Sequence, residues 1–155
     1  MSAPTRRFDE VAVGDALPEL VVPVTRTLIV AGAIASRDYQ DVHHDPVLAR
    51  QRGSRDIFMN ILTTNGLVGR YVTDWTGPGG LVTDVAIRLG VPNYPDDVLT
   101  FSGAVTGRDD APGDDGRGGV ELSVRGANGL GDHVTGTVRV RLPAGTAAGA
   151  TGGAS

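Results

Sequence analysis

Apolar and polar positions along this chain change period several times, and each change predicts an element. Glu19 to Thr27 carries β-branched Val21, Val22, Val24 and Thr25 around Pro23. This predicts a first strand at a sheet edge or with a bulge, because proline cannot donate to an interior ladder. Thr27 is then the expected N-cap of a helix running through Arg37, with Val30, Ala33 and Ile34 on its apolar face. Asp45-Pro46 opens a short helix, Asp as the cap and Pro in the first turn, and Gly53 closes it. From Ile57 to Trp75, the residues Ile57, Ile61, Val68, Tyr71, Val72 and Trp75 recur at helical spacing, and Phe58, Met59, Leu62 and Leu67 widen the apolar face. A helix apolar on most sides is expected to be buried. Gly66 and Gly69 weaken it but would allow close approach to a sheet.

The second half reads differently. After the Gly77-Pro78-Gly79-Gly80 turn come strand candidates at Leu81–Val91, Val98–Arg108, Val120–Ala127 and His133–Leu142. Arg108 to Gly119 is rich in Gly and Asp and predicts an exposed hairpin loop. A turn is expected at Val13-Gly14-Asp15 in the lead-in. Residues 1–143 form one expected domain, and 144–155 are a Gly/Ala/Thr/Ser tail with too little apolar surface to order itself. Strand, helix, loop, long buried helix and then antiparallel strands predict an α+β fold, one sheet wrapped around one helix.

Composition narrows the chemistry. The 155 residues suffice for a core without staples. With no cysteine, disulfides, thiolate metal sites and a Cys nucleophile are excluded. All 14 basic residues are arginine, so no Schiff-base or P-loop lysine exists. A net charge of −4 argues against nucleic acid as the main partner. No apolar run approaches membrane-spanning length and the first ten residues lack an apolar signal core, so a soluble cytoplasmic protein is expected.

Two of the three histidines fall in Ser36-Arg37-Asp38-Tyr39-Gln40-Asp41-Val42-His43-His44-Asp45-Pro46. A carboxylate and an imidazole five residues apart, across a helix end, can converge on one water, take its proton and return one. That equipment suits adding water to a double bond or removing it. Taken alone, Asp38 also reads as a solvated helix-end acid, and His43 competes with His44 for the role. Asp45 reads as a cap, Asp41 as a solvated loop acid, and His133 as a surface residue of a late strand. A metal site built from Asp38, Asp41, His43, His44 and Asp45 is disfavoured. Adjacent histidines do not easily face one ion, no second ligand cluster appears, and the paired histidines of a zincin helix are absent.

The same segment resembles the hydratase motif of the MaoC-like (R)-specific enoyl-CoA hydratases, whose pattern is Ala-x-Ser-Gly-Asp-x-Asn-Pro-Leu-His-x-Asp-Pro. Here the spacing from Asp38 to His43 to Asp45-Pro46 is kept. Pro95-Asp96-Asp97-Val98-Leu99 is similar to the family's Pro-Gly-Asp-x-Leu turn, and the likeness spans about residues 8–142. Arg37 stands where the family has glycine, Asp41-Val42 replace Asn-Pro, and Met59-Asn60 replace His-Gly. These departures and Tyr71-Val72-Thr73-Asp74-Trp75 resemble the small catalytic subunits of heteromeric hydratases acting on sterol side-chain CoA esters.

The resemblance implies a hotdog domain that hydrates trans-2-enoyl-CoA thioesters to 3-hydroxyacyl-CoAs. Asp38 and His43 would be catalytic, and Asn60 and Ile61 would bind the thioester carbonyl through backbone N–H donors at the helix start. No cofactor is implied beyond the coenzyme A of the substrate, whose phosphates arginines would meet. It implies a homodimer, or a heteromer with a second hotdog subunit. Acyl-carrier-protein dehydration or thioester hydrolysis, and a non-catalytic subunit shaping an acyl pocket, are the alternatives.

Overall fold

Alternation on three central strands decides which face of the sheet meets the long helix. The computed structural model describes residues 4–145, so of the expected tail only Ala144 and Gly145 are included and the remainder lies outside the described residues. The strands are β1 (Ala16–Pro23), β2 (Leu81–Leu89), β3 (Val98–Arg108), β4 (Arg117–Asn128) and β5 (Gly131–Pro143). They form one antiparallel sheet in the order β1-β3-β4-β5-β2. The helices are α1 (Arg26–Ala35), α2 (Pro46–Gln51) and α3 (Ile61–Thr76). Leu99, Phe101 and Val105 of β3, Val120, Leu122 and Val124 of β4, and Val138, Val140 and Leu142 of β5 all turn inward. On the same side lie Leu67, Val68, Tyr71, Val72 and Trp75 of α3. The sheet curls around this helix, the α+β arrangement expected.

The prolyl strand β1 is both an edge strand and bulged, its register slipping between Leu17 and Leu20. It stops earlier than its composition suggests because Thr25, not Thr27, caps α1: the Thr25 hydroxyl accepts the Leu28 N–H at 3.0 Å. Asp45 caps α2 as expected, its Oδ1 accepting from Val47 at 2.8 Å and Leu48 at 3.0 Å. Gly53 follows at φ +90.

The long helix starts later than its periodicity suggests. Ile57 and Met59 are 1% and 2% exposed, yet they lie in the extended approach to the N-cap Asn60. Burial, not helical geometry, explains their apolar character. Nor is α3 buried on most sides: Ile61 and Leu62 are about half exposed. Gly66 and Gly69 also face away, with nothing within 4 Å of a side chain added at either. Close approach occurs instead at Gly32 of α1, where a Cβ would meet Thr63, and at Gly103 of β3, beneath the Tyr71 hydroxyl. The expected loop shortens because Arg117 to Gly119 pair with β5. The first two tail residues are tied down, the Ala144 N–H donating to the Gly116 carbonyl at 2.8 Å.

Tyr71 stacks on Phe101 with ring centroids 5.5 Å apart, and its hydroxyl is buried with no partner among the described residues. Burial, with the Glu19 charge behind it, pushes the phenol up to about 12. A buried hydroxyl without a partner carries a desolvation penalty of about 1–3 kcal/mol. Tyr71→Phe is therefore expected to raise unfolding free energy by about 1 kcal/mol in chemical denaturation. A loss of stability instead would mean that the hydroxyl has a partner, such as an ordered water.

Candidate active site

The end of α1 delivers Asp38. The Arg37 N–H donates to the Ile34 carbonyl at 3.0 Å and the Asp38 N–H to the Ala33 carbonyl at 2.9 Å. These two bonds, with Arg37 at φ 57, form the terminating motif that usually carries glycine in its left-handed position. Arg37 occupies the place where the family motif has that glycine. The second such place, Asp96, is the other non-glycine residue with positive φ, at 73. Both departures from the family pattern thus keep glycine's backbone without glycine. The helix ends at Ala35, short of the expected Arg37, because this motif closes it.

His43 arrives on a short 3-10 turn, Asp41–His43, held by the Arg52–Asp41 ion pair at 2.8 Å. Asp41 is thus paired, not simply solvated. His43 is 5% exposed and its Nδ1 lies 2.7 Å from the Phe58 carbonyl oxygen. A carbonyl only accepts, so Nδ1 carries a proton and, in the neutral ring, Nε2 presents the lone pair. That Nε2 is 3.4 Å from Asp38 Oδ2. His44 is exposed and turns to the Tyr39 carbonyl at 3.2 Å, outside the pair.

Asn60 joins cap and acid. Its Oδ1 accepts the Thr63 N–H at 3.0 Å, closing the first turn of α3. Its amide group donates to Ser36 Oγ at 2.9 Å and to Asp38 Oδ2 at 3.1 Å. Ser36 in turn donates to the Gly32 carbonyl at 2.7 Å. With the side chain of Asn60 so engaged, the donors left at this helix end are backbone ones. The first N–H groups of a helix have no intrahelical partner. Thr63 N–H is capped, which leaves those of Asn60, Ile61 and Leu62. The helix dipole adds positive potential there.

Chemically, the pair sets a carboxylate oxygen and an imidazole nitrogen 3.4 Å apart. A carboxylate and an imidazole this close can act on one water, one taking a proton and one returning it. Asp38 and His43 are brought together, Asn60 stands beside them, and Ile61 offers its amide. A shallow concavity of about 370 Å³ lies elsewhere on the sheet, rimmed by Arg108, Asp109, Glu121, Arg139 and Arg141. It shares no residue with this site, and Arg139 is paired with Glu121 at 3.0 Å.

Sequence reasoning missed three participants. Ser36 sat within the motif and could have been noticed. The Phe58 carbonyl leaves no trace in residue identity. His133, expected at the surface, is 2% exposed: its Nδ1 lies 2.7 Å from the Val91 carbonyl oxygen and its Nε2 lies 2.8 Å from Thr64 Oγ1. By alternation His133 falls on the outer face, opposite in phase to Val134, Val138 and Val140. The register of β4 and β5 slips here, however: Gly126 pairs with Val134 and Ala127 with Asp132, which leaves His133 as the extra, buried residue of a bulge.

Burial pushes the His133 imidazole below its ordinary value, against the opposing pull of the Val91 hydrogen bond and the Asp97 charge. The folded state therefore resists a proton that the unfolded chain takes up near pH 6.5, an ordinary value of about 6.5 being usual for histidine. Stability is full above that pH and falls as pH drops toward the depressed folded value. Denaturation midpoints at pH 7.5 and 5 should show this fall, and His133→Gln should lessen the difference. An unchanged difference would remove His133 as a source.

Comparison with known proteins follows the same line. No protein-family model matches the chain. Its fold is similar to that of the R-hydratase PhaJ1 from Pseudomonas aeruginosa, with TM-score 0.77 and 19% identity, covering 96% of this chain and 95% of that one. The ChsH1-ChsH2 complex from Mycobacterium tuberculosis contains a chain that is 51% identical with TM-score 0.78, covering 84% of this chain and 98% of that one. The chain belongs to the MaoC-like hydratase family, with the hotdog fold. A relative named the 3-oxo-4,17-pregnadiene-20-carboxyl-CoA hydratase beta subunit, from Mycobacterium tuberculosis, is 52% identical over 130 residues, 84% of this chain and 95% of the relative.

Proposed function

We propose that the chain is the catalytic subunit of an enoyl-CoA hydratase, with Asp38 and His43 handling the water. The observation that carries this reading is the 3.4 Å approach of His43 Nε2 to Asp38 Oδ2, with Nδ1 committed to Phe58 and Oδ2 held by Asn60. In this mechanism the water oxygen bonds to the β-carbon of a trans-2-enoyl thioester. One member of the pair takes the proton that the water loses, and a proton is returned to the α-carbon on the same face. Charge that gathers on the thioester oxygen is met by backbone N–H groups of Ile61 and Leu62. Such donors contribute about 3–4 kcal/mol in other enzymes.

A bulky, largely apolar acyl group, as in the name of the mycobacterial relative, suits the surroundings. Tyr39 is 68% exposed beside Asp38, Ile34 57% on α1, and Ile61 and Leu62 52% and 50% on the first turn of α3. Exposed apolar side chains concentrated on elements that carry a polar site call for apolar cover from substrate or subunit. We assign the second role to another hotdog subunit, as in the complex formed by the similar mycobacterial chain, and the reaction to steroid side-chain degradation.

The test is hydration of a panel from crotonyl-CoA to a steroid side-chain enoyl-CoA, followed by loss of conjugated-thioester absorbance. The chain is assayed alone and co-purified with a second hotdog subunit. Turnover of the bulky substrate, abolished by substitution of Asp38, is the expected result. Activity of the complex that survives that substitution would make this chain the non-catalytic partner.

A further inference from the structure

Burying a polar side chain is unfavourable unless it is hydrogen-bonded. The buried polar residues here are His43, Asn60, Thr64, Thr76, Asn93 and His133, and all but Thr76 gather around the N-terminal end of α3. His43 and Asn60 belong to the site already described. The other three make a support behind it. His133 of β5 has its proton fixed on Nδ1 by the Val91 carbonyl at 2.7 Å, so Nε2 accepts from the Thr64 hydroxyl at 2.8 Å. Thr64 lies one turn beyond Asn60 and donates its own N–H to the Asn60 carbonyl at 3.2 Å. On the approach to the cap, Met59 N–H donates to the Asn93 carbonyl at 3.0 Å, and Asn93 Oδ1 accepts from Asn128 at 2.7 Å. The first turn of α3 is therefore pinned to the sheet on one side and to the loop before β3 on the other.

We infer that His133 is a positioning residue: through Thr64 it fixes the first turn of α3, and with it the aim of Asn60 at Asp38 and of the Ile61 and Leu62 N–H groups at the thioester. This rests on the hydratase reading. His133 itself is 2% exposed and does not meet the substrate. The hydroxyl of Thr64 is the link. Thr64→Val keeps the volume and removes the link, Thr64→Ser keeps both ends, and His133→Gln retains a group able to donate to Val91 and to accept from Thr64.

Two readouts test this: steady-state rates on the enoyl-CoA panel, and hydrogen exchange of the Asn60 side-chain amide by NMR. Thr64→Val is expected to lower kcat by about 10- to 100-fold, since misplacement by about 1 Å costs on the order of 100-fold, with KM within about twofold. Asn60 amide exchange should accelerate in the same variant. Thr64→Ser and His133→Gln should stay near wild type in both readouts. Unchanged amide exchange in Thr64→Val overturns the inference, whatever the rate does. So does a rise in KM with kcat intact. If the wild type turns over none of the panel, the rate arm counts against the hydratase reading alone. The exchange arm still decides this one: acceleration in Thr64→Val but not in Thr64→Ser supports it.

Discussion

Asp38→Asn is expected to lower hydration turnover by about 10³-fold or more while leaving the fold intact, general acid–base groups each contributing about 10²–10⁴-fold. The exchange is isosteric, so the terminating bonds of α1, which use backbone atoms, persist. What disappears is the carboxylate that, in the proposed mechanism, acts on the water together with His43 Nε2. His43→Ala should fall as far. It also strips the Phe58 carbonyl of its donor, a loss of about 1–3 kcal/mol of stability, so its rate must be compared on folded protein. In the proposed mechanism both residues act on one water, so the double variant should be no slower than the worse single. Rates are followed at saturating enoyl-CoA with melting temperatures measured in parallel. Turnover within tenfold of wild type in folded Asp38→Asn would remove the acid from the chemistry.

Gly32→Ala should be the most damaging single methyl group in the molecule's site region. A Cβ at this position would lie 2.1 Å from Thr63 Oγ1, 2.9 Å from Cγ2 and 3.0 Å from Cβ. The whole Thr63 side chain blocks it, and a rotamer change cannot clear a contact with Cβ itself. The helices α1 and α3 must part, at an overpacking cost of about 1–3 kcal/mol. Parting them also separates Ser36 and Asp38 on one helix end from Asn60 on the other. A fall of about 100-fold in kcat should accompany the loss of stability, as expected for displacement by about 1 Å. The rescue is specific. Thr63 Oγ1 is buried without a partner among the described residues, so Thr63→Ala sacrifices no hydrogen bond. It removes the Oγ1 and Cγ2 clashes, leaves only the contact with Cβ at 3.0 Å, and should recover most of both properties in the double variant. Failure of that rescue would locate the damage elsewhere than this contact.

The parts of the fold and site that were legible in the sequence share one property: they are local. Asp38 and His43 are separated by a helix end and one short turn, so their spacing alone predicts proximity. Asp45-Pro46 encodes its cap in two adjacent letters, and Pro23 predicts an edge or a bulge within its own strand, which turns out to have both. The illegible parts depend on contacts across the chain. Ile57 and Met59 imitate helix positions because burial, which periodicity reports, is shared by the extended segment before Asn60. Gly66 and Gly69 suggested sheet contact because periodicity does not say which face a small residue takes. His133 looked peripheral because its partners, Val91 and Thr64, lie 42 and 69 positions away. The anchor of His43 is a main-chain oxygen, which any residue at position 58 would supply.

The left-handed backbone at Arg37 and Asp96 has a wider consequence for how such sites are recognised across distant chains. A consensus written in letters treats the glycine before the acid as an identity to be matched. Here a bulky cationic side chain sits at that place, and the helix stop still forms and still presents the carboxylate. What this chain keeps at the position is a dihedral angle, with arginine in place of glycine. Profiles that score torsion compatibility rather than residue identity at these two places would admit divergent members that a strict consensus turns away.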